Sequence, residues 1–156
     1  LGPRTVFADG RPQVSFGPDL NLWSEFRQRA LVLGVKAGEP AALAEWSAAS
    51  RAERTVDWIS GSCLLLRMSV ASRVGFFDEG YFLYEEDADL CLRLRKAGSQ
   101  VLFIPQAEVI HALGTSMTKD ALASRAAYDR SHRRYYQRHR GFVERLLLDL
   151  LIALKR

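Results

Sequence analysis

From Val56 to His111 short apolar runs alternate with one strongly amphipathic segment, and that alternation restricts the chain to an α/β fold. Val56-Asp57-Trp58-Ile59 reads as a strand, and Ser60-Gly61-Ser62 links it tightly to Cys63-Leu64-Leu65-Leu66. The second run is apolar on both faces, which predicts a central strand covered by helices. Ser69 to Val74 makes one or two helical turns, ended by Gly75. A helix is predicted from about Glu86 to Ala97, with Leu90, Cys91 and Leu94 inward and Gly98 as its stop. Val101–Ile104 reads as a strand halted by Pro105, and Ala107–Ile110 as another that leads into His111.

The flanks are simpler. TVFADGRPQV predicts a hairpin turning at Asp9-Gly10, a pair suited to positive φ. Leu22, Trp23, Phe26, Ala30 and Leu33 recur at helical spacing, so a helix over Leu20–Leu33 is expected, stopped by Gly34. Pro40–Ala49 is a short alanine-rich helix with its proline in the first turn. From Lys119 the pattern is helical, with a break near Gly141. At 156 residues, 48% of them hydrophobic, the chain suits one domain able to bury roughly 70% of its unfolded surface. That apolar share excludes intrinsic disorder. The longest nearly unbroken apolar run, Leu146–Leu154, contains Asp149 and falls far short of the roughly 20 residues of a spanning helix.

Cys63 and Cys91 are too few for a disulfide scaffold or a thiolate zinc site. Both sit in apolar patterns and read as buried free thiols, which suits a reducing, cytosolic compartment. No signal peptide is visible, and the chain starts at Leu1 rather than Met, as expected of a chain lacking its true N-terminus. Net charge is +4, but it is uneven. Seven arginines between Arg125 and Arg145 against Asp129 and Glu144 give +5, which leaves −1 for the remainder.

Glu85, Glu86, Asp87 and Asp89 place four carboxylates where a helix begins. Acids there can simply cap free amides and oppose the macrodipole, and Asp89 with Arg93 is spaced for a surface ion pair. Four exceed what capping needs, so mutual repulsion is expected to raise some of their pKa values, which suits a general base or a cation site. Asp87-Ala88-Asp89 also matches the Asp-x-Asp pattern that holds a divalent ion on phosphates, though it lies on a helix rather than a loop. His111 is either a satisfied structural residue or a ligand at a strand end, where α/β proteins place their ligands. Trp58 is either core or a flat platform for a sugar ring.

In the order VDWISGSCLLLR, VGFFDEGYFLYEEDADLCLRLRKAG and VLFIPQAEVIH, these segments resemble the C-terminal half of family 2 glycosyltransferases of the GT-A fold, most of all rhamnosyltransferase-like members that build bacterial surface polysaccharides. The resemblance is strong over Val56–Ser116, looser over the opening hairpin, and absent or generic over Leu20–Arg54 and after Met117. It implies a partial GT-A (Rossmann-like) domain over residues 1–118, a mixed sheet flanked by helices, and a helical tail over 119–156. Asp87 then matches the catalytic base that deprotonates the acceptor hydroxyl. Glu86 matches an acidic position lining the acceptor pocket, and Trp58, Ser60 and Gly61 match a segment on the acceptor and donor-sugar side. His111 matches a histidine that helps hold a divalent metal, Mg or Mn, on the donor diphosphate. Asp89 is expected to orient the helix rather than react.

The nucleotide-binding half and its Asp-x-Asp loop have no counterpart before Val56. The chain therefore reads as a fragment of an inverting enzyme, with the main metal ligands elsewhere, little activity alone, and sheet edges that favour self-association. The implied partners are a nucleotide-sugar donor and a saccharide or lipid-linked acceptor, at a cytoplasmic location or the inner face of the cell membrane. The tail RAAYDRSHRRYYQRHR interleaves arginines with tyrosines. It reads as a solvated helix face, or as a binder of anionic headgroups or diphosphate through 125–156; no nucleic acid is expected as a partner. Phe142–Lys155 has a wide apolar face that either packs on the core or lies in a membrane interface, with Arg145 and Asp149 paired across one turn. The rival readings are a non-catalytic carbohydrate- or partner-binding module of the same fold and an arginine-driven nucleic-acid-binding domain.

Overall fold

A computed structural model describes residues 1–112 and 121–154. The hairpin that Asp9-Gly10 predicts is present. Strand β1 (Gly2–Val6) pairs antiparallel with β2 (Pro12–Gln13), Thr5 opposite Gln13 and Val6 opposite Pro12. Gly10 takes φ +81°, and Asp9 Oδ1 accepts the Arg11 N–H at 3.0 Å, which closes the turn.

On its other side β1 pairs in parallel with a long strand of residues Leu102–Ile110, here β6, and β4 (Arg54–Thr55) adds to β6 antiparallel. The result is a mixed four-stranded sheet in the order β2-β1-β6-β4. Pro105 was expected to divide β6 and does not. The pairing jumps from Ile104 to Glu108 where β1 passes from Pro3 to Arg4, and β4 reaches only Leu102 and Phe103. Pro105 therefore sits in a bulge where no N–H is required. A two-stranded sheet lies beside this one, β3 (Phe16–Gly17) with β5 (Trp58–Ile59).

The expected central strand Cys63–Leu66 is not a strand. Among the described residues Leu65 exchanges backbone hydrogen bonds only with Leu1, and it is 69% exposed, while Cys63 is half-buried rather than core. The Ser60-Gly61-Ser62 turn throws this run onto the surface, and an apolar run of that length does not by itself specify burial.

Helix α1 (Leu22–Ala37) opens on a capping box: Asn21 accepts the N–H groups of Trp23 and Ser24, and Ser24 Oγ accepts the Asn21 N–H. It runs through Gly34 and ends at Gly38, φ +75°. Gly34 is instead a contact residue. A Cβ there would stand 2.6 Å from the Ala42 Cβ of α2 (Pro40–Ala49), so the glycine lets the two helices touch. A short helix α3 (Met68–Ala71) and a 3₁₀ turn (Ser72–Val74) end at Gly75, φ +81°, as expected.

Helix α4 (Glu86–Lys96) joins two cores. Cys91 packs with Phe16, Trp46, Ile59 and Phe103, where the Phe16 ring lies 4.6 Å from Trp46 and 4.3 Å from Phe103. Ala88 and Leu92 pack with Leu20, Tyr81, Tyr135, Tyr136, Leu148 and Ile152. Each large apolar side chain so buried contributes roughly 1.5–3 kcal/mol. The second core draws on α5 (Ala121–His139) and α6 (Phe142–Ala153), which meet at Gly141 as predicted. Helix α6 buries Leu148 and Ile152, while Phe142, Leu146, Leu150 and Leu154 stay exposed. Its expected Arg145–Asp149 pair is replaced by Arg133 of α5, whose Nε lies 2.7 Å from Asp149. The expected division at 118/119, and the run after His111 from Leu113 on, lie outside the described residues. No helix among the described residues is long and apolar enough to cross a membrane.

Candidate active site

Helix α4 starts from an unusual turn. Tyr84 and Glu85, neither of them glycine, stand at φ +66° and +67°, conformations that cost about 1–3 kcal/mol each. Glu85 occupies the N-cap position but gives the helix no side-chain cap. Asp87 binds backbone amides instead: Oδ2 accepts the Gly61 N–H at 2.7 Å and Oδ1 the Ala88 N–H at 2.8 Å. The loop that supplies Gly61 is fixed in turn, with the Ser60 N–H donating to Ser15 O at 2.8 Å and the Ser62 N–H to Ser60 Oγ at 3.3 Å. Two segments 26 residues apart are thereby brought into contact, with exposed Gly61 and half-buried Asp87 at the junction.

Burial pushes the Asp87 carboxyl above the usual carboxylate range, against the pull of its backbone donors. Burial also raises Glu86, with repulsion from Asp87 and Glu85 as a smaller cause. Repulsion raises Glu86 as expected, but loss of water leads, because the turn folds these acids inward. One Glu86 oxygen, Oε2, is buried without a hydrogen-bond partner among the described residues. Trp58 is half-buried and touches both cores, its ring lying against Gly17 so that a Cβ there would sit 2.9 Å from the indole. Its Nε1 is likewise buried and without a partner among the described residues.

His111 belongs to a different neighbourhood. Its Nδ1 lies 3.0 Å from Gln13 Oε1, and its carbonyl accepts from Gln13 Nε2 at 2.7 Å, which ties the end of β6 to β2. No group of three or more His, Cys, Asp or Glu residues among those described could hold a metal ion. The described residues do not by themselves form a divalent-cation centre, since Mg²⁺ and its like need several oxygen ligands converging.

The sequence model described as Glycosyl transferase family group 2 matches residues 44–154, most of the chain. The chain belongs to that family. This glycosyl transferase family member is 49% identical over 79 residues to N-acetylglucosaminyl-diphospho-decaprenol L-rhamnosyltransferase of Mycobacterium tuberculosis, covering 51% of this chain and 26% of that protein. It is 49% identical over 59 residues to Rhamnosyltransferase WbbL of Escherichia coli, covering 38% and 22%. It is 32% identical over 60 residues to the Low-salt glycan biosynthesis hexosyltransferase Agl10 of Haloferax volcanii, covering 38% and 19%. The matches thus span about a quarter or less of these relatives. No solved structure gives a significant match.

The family member also holds a polar network that the sequence reading missed. Asp89 is fully buried rather than part of a surface pair: Arg93 Nε and His139 Nε2 each lie 2.6 Å from it, with the Tyr81 hydroxyl at 3.3 Å. Arg93 also donates to the carbonyls of Val74 and Phe76. Of the tail arginines, Arg125, Arg130, Arg138 and Arg145 lie on a solvated face as expected, whereas Arg134 and Arg140 turn inward. Arg134 holds both oxygens of Asp78, and Arg140 donates to Asp19 Oδ2 and Leu20 O, each at 2.6 Å. Arg138 Nη1 lies 3.2 Å from Asp78. Against its burial, Arg140 and Arg95 hold Asp19 below the usual carboxylate range, and the Gly80 N–H, followed by Arg134 and Arg138, does the same for Asp78. The signal was available: His132, Tyr135, Tyr136 and His139 recur at helical spacing and mark one buried face of α5, with Tyr128 at its exposed edge.

Proposed function

We propose that the chain is the acceptor-side part of an inverting glycosyltransferase in polysaccharide synthesis, with Asp87 as its general base. The observation that carries this reading is the Asp87 carboxylate, oriented by the Gly61 and Ala88 amides and raised by burial. A base works best when its pKa approaches the working pH, and fixed amide donors hold it on a set line. As the acceptor oxygen forms its bond to the anomeric carbon, the bond from that carbon to the diphosphate breaks. The hydroxyl proton passes to Asp87. Trp58, Ser60, Gly61 and Glu86 line the acceptor side. A divalent ion, when bound, would neutralise the charge growing on the departing diphosphate, with His111 as a contributing ligand and the main ligands outside the described residues. The sugar assigned is L-rhamnose and the acceptor a saccharide or lipid-linked saccharide, after the names of the 49%-identical relatives.

In the full-length polypeptide Asp87→Asn keeps an acceptor for one backbone amide and removes the base. Turnover is expected to fall about 10²–10⁴-fold with the melting temperature little changed. Unchanged turnover refutes the assignment. A second reading, peripheral attachment at the inner membrane face, is favoured by the exposed Phe142, Leu146, Leu150 and Leu154. Flotation with anionic liposomes is expected, and flotation independent of lipid charge discards the electrostatic part.

A further inference from the structure

Two adjacent left-handed residues just ahead of Asp87 persist only if their surroundings over-determine them. Helix α5 grips both. The Tyr84 ring stands edge-on to Tyr128 at 5.7 Å. The Glu85 carboxylate, almost fully buried, faces His132: Oε1 lies 3.4 Å from Nδ1. On the opposite edge of the imidazole, Nε2 lies 3.0 Å from Glu25 Oε2 of α1, an ionic contact rather than an aligned hydrogen bond. The Tyr128 hydroxyl sits 3.0 Å from Nδ1. Tyr136 stacks on the ring at 5.2 Å and donates its hydroxyl to Glu25 Oε1 at 2.6 Å. The charged and titratable groups facing His132 are thus Glu25 from α1, Glu85 from the turn, and Tyr128 and Tyr136 from α5 itself. A neutral imidazole there would leave buried carboxylate charge uncompensated, which is far costlier than the ion triad.

We propose that His132, as an imidazolium held between Glu25 and Glu85, is a positioning residue that locks the left-handed turn Tyr84–Glu85 and so aims the Asp87 carboxylate at Gly61 and the acceptor. This inference rests on the reading of Asp87 as base only for its catalytic consequence; the aiming itself is measurable without turnover. Glu85 precedes Asp87 by two residues, so a change at Glu85 reaches Asp87 through the first turn of α4 alone.

The reporter is the Gly61 amide, whose proton lies on a short bond to a carboxylate and so resonates downfield. Amide NMR spectra of the 156-residue chain at neutral pH are compared for wild type, Asp87→Asn, His132→Gln, His132→Lys and Glu25→Gln. Asp87→Asn sets the position of a Gly61 amide without its charged partner. His132→Gln and Glu25→Gln are expected to lose at least half of the downfield displacement, and His132→Lys, which keeps a cation, to restore part of it. A Gly61 amide that stays in place in a folded His132→Gln or Glu25→Gln chain overturns the proposal, and the isosteric Glu25→Gln decides it if His132→Gln does not fold. The two readings fail separately: unchanged turnover in Asp87→Asn removes the base, whereas an unmoved Gly61 amide removes the role of His132.

Discussion

Asp89 offers a sharp test of whether the tail helices are part of the fold's framework. Its carboxylate is fully buried and faces Arg93 at 2.6 Å, His139 at 2.6 Å and Arg138 at 3.7 Å. In Asp89→Ala those partners converge on a void with no anion in it. Removing one side of such a buried pair costs about 3–5 kcal/mol, against a total of about 5–15 kcal/mol for a domain. At about 2–4 °C per kcal/mol for a chain of this size, the melting temperature should fall by about 6–20 °C. The internal control is Asp149→Ala, which breaks an exposed pair with Arg133 and should cost at most about 1 kcal/mol. Thermal unfolding followed by far-ultraviolet circular dichroism reads both variants on one scale. If Asp89→Ala melts no earlier than Asp149→Ala, the buried network is not what docks α5 on α4.

Three further outcomes are expected. Gly34→Ala should destabilise by about 1–3 kcal/mol, read as a lower denaturation midpoint, because its Cβ would meet Ala42 at 2.6 Å; a gain from helix propensity instead would show that α1 and α2 separate at no cost. The two glutamates lift His132 to about 9 despite its burial. Since that lies above the unfolded value of about 6.5, its contribution is complete below about pH 6.5 and lost as pH rises through about 9. The wild-type melting temperature should therefore drop over that window, and His132→Gln should flatten the drop. Burial pushes the Cys91 thiol up to about 11, so iodoacetamide in mildly alkaline buffer should label half-buried Cys63 and spare Cys91 until the chain unfolds. Mass spectrometry of the folded chain checks this, and early labelling of Cys91 would mean that α4 opens locally.

Local signals carried far in this chain where both partners are close in sequence. Asp9-Gly10 specified its turn, Pro40 its helix start, and the spacing of Leu90, Cys91 and Leu94 the inward face of α4. Long-range packing was not readable. Gly34 looks like a helix stop until α2 is known to lie against it, and Cys63–Leu66 looks like core until the Ser60-Gly61-Ser62 turn carries it outward. Arg134 and Arg140 read as part of a solvated face because their acids are remote, Asp78 lying 56 residues from Arg134 and Asp19 121 from Arg140. Spacing alone offered a carboxylate cluster at a helix start, and the family resemblance singled out Asp87. Neither revealed that Gly61 would hold its oxygen or that loss of water, not repulsion, would raise its pKa.

The way α5 and the adjoining Arg140 gather Asp19, Glu25, Asp78, Glu85 and Asp89 has a consequence for biosynthesis. A ribosome adding about 5–20 residues per second needs about 6–24 s to pass from Asp19 to its cation Arg140. For that interval residues 1–112 present 14 acidic against 12 basic side chains, a net negative charge that favours their hydration. Synthesis of α5 and Arg140 then supplies the cations that latch Asp19, Asp78 and Asp89, so a stop before Arg140 leaves these acids unlatched and the polypeptide open to quality-control proteases.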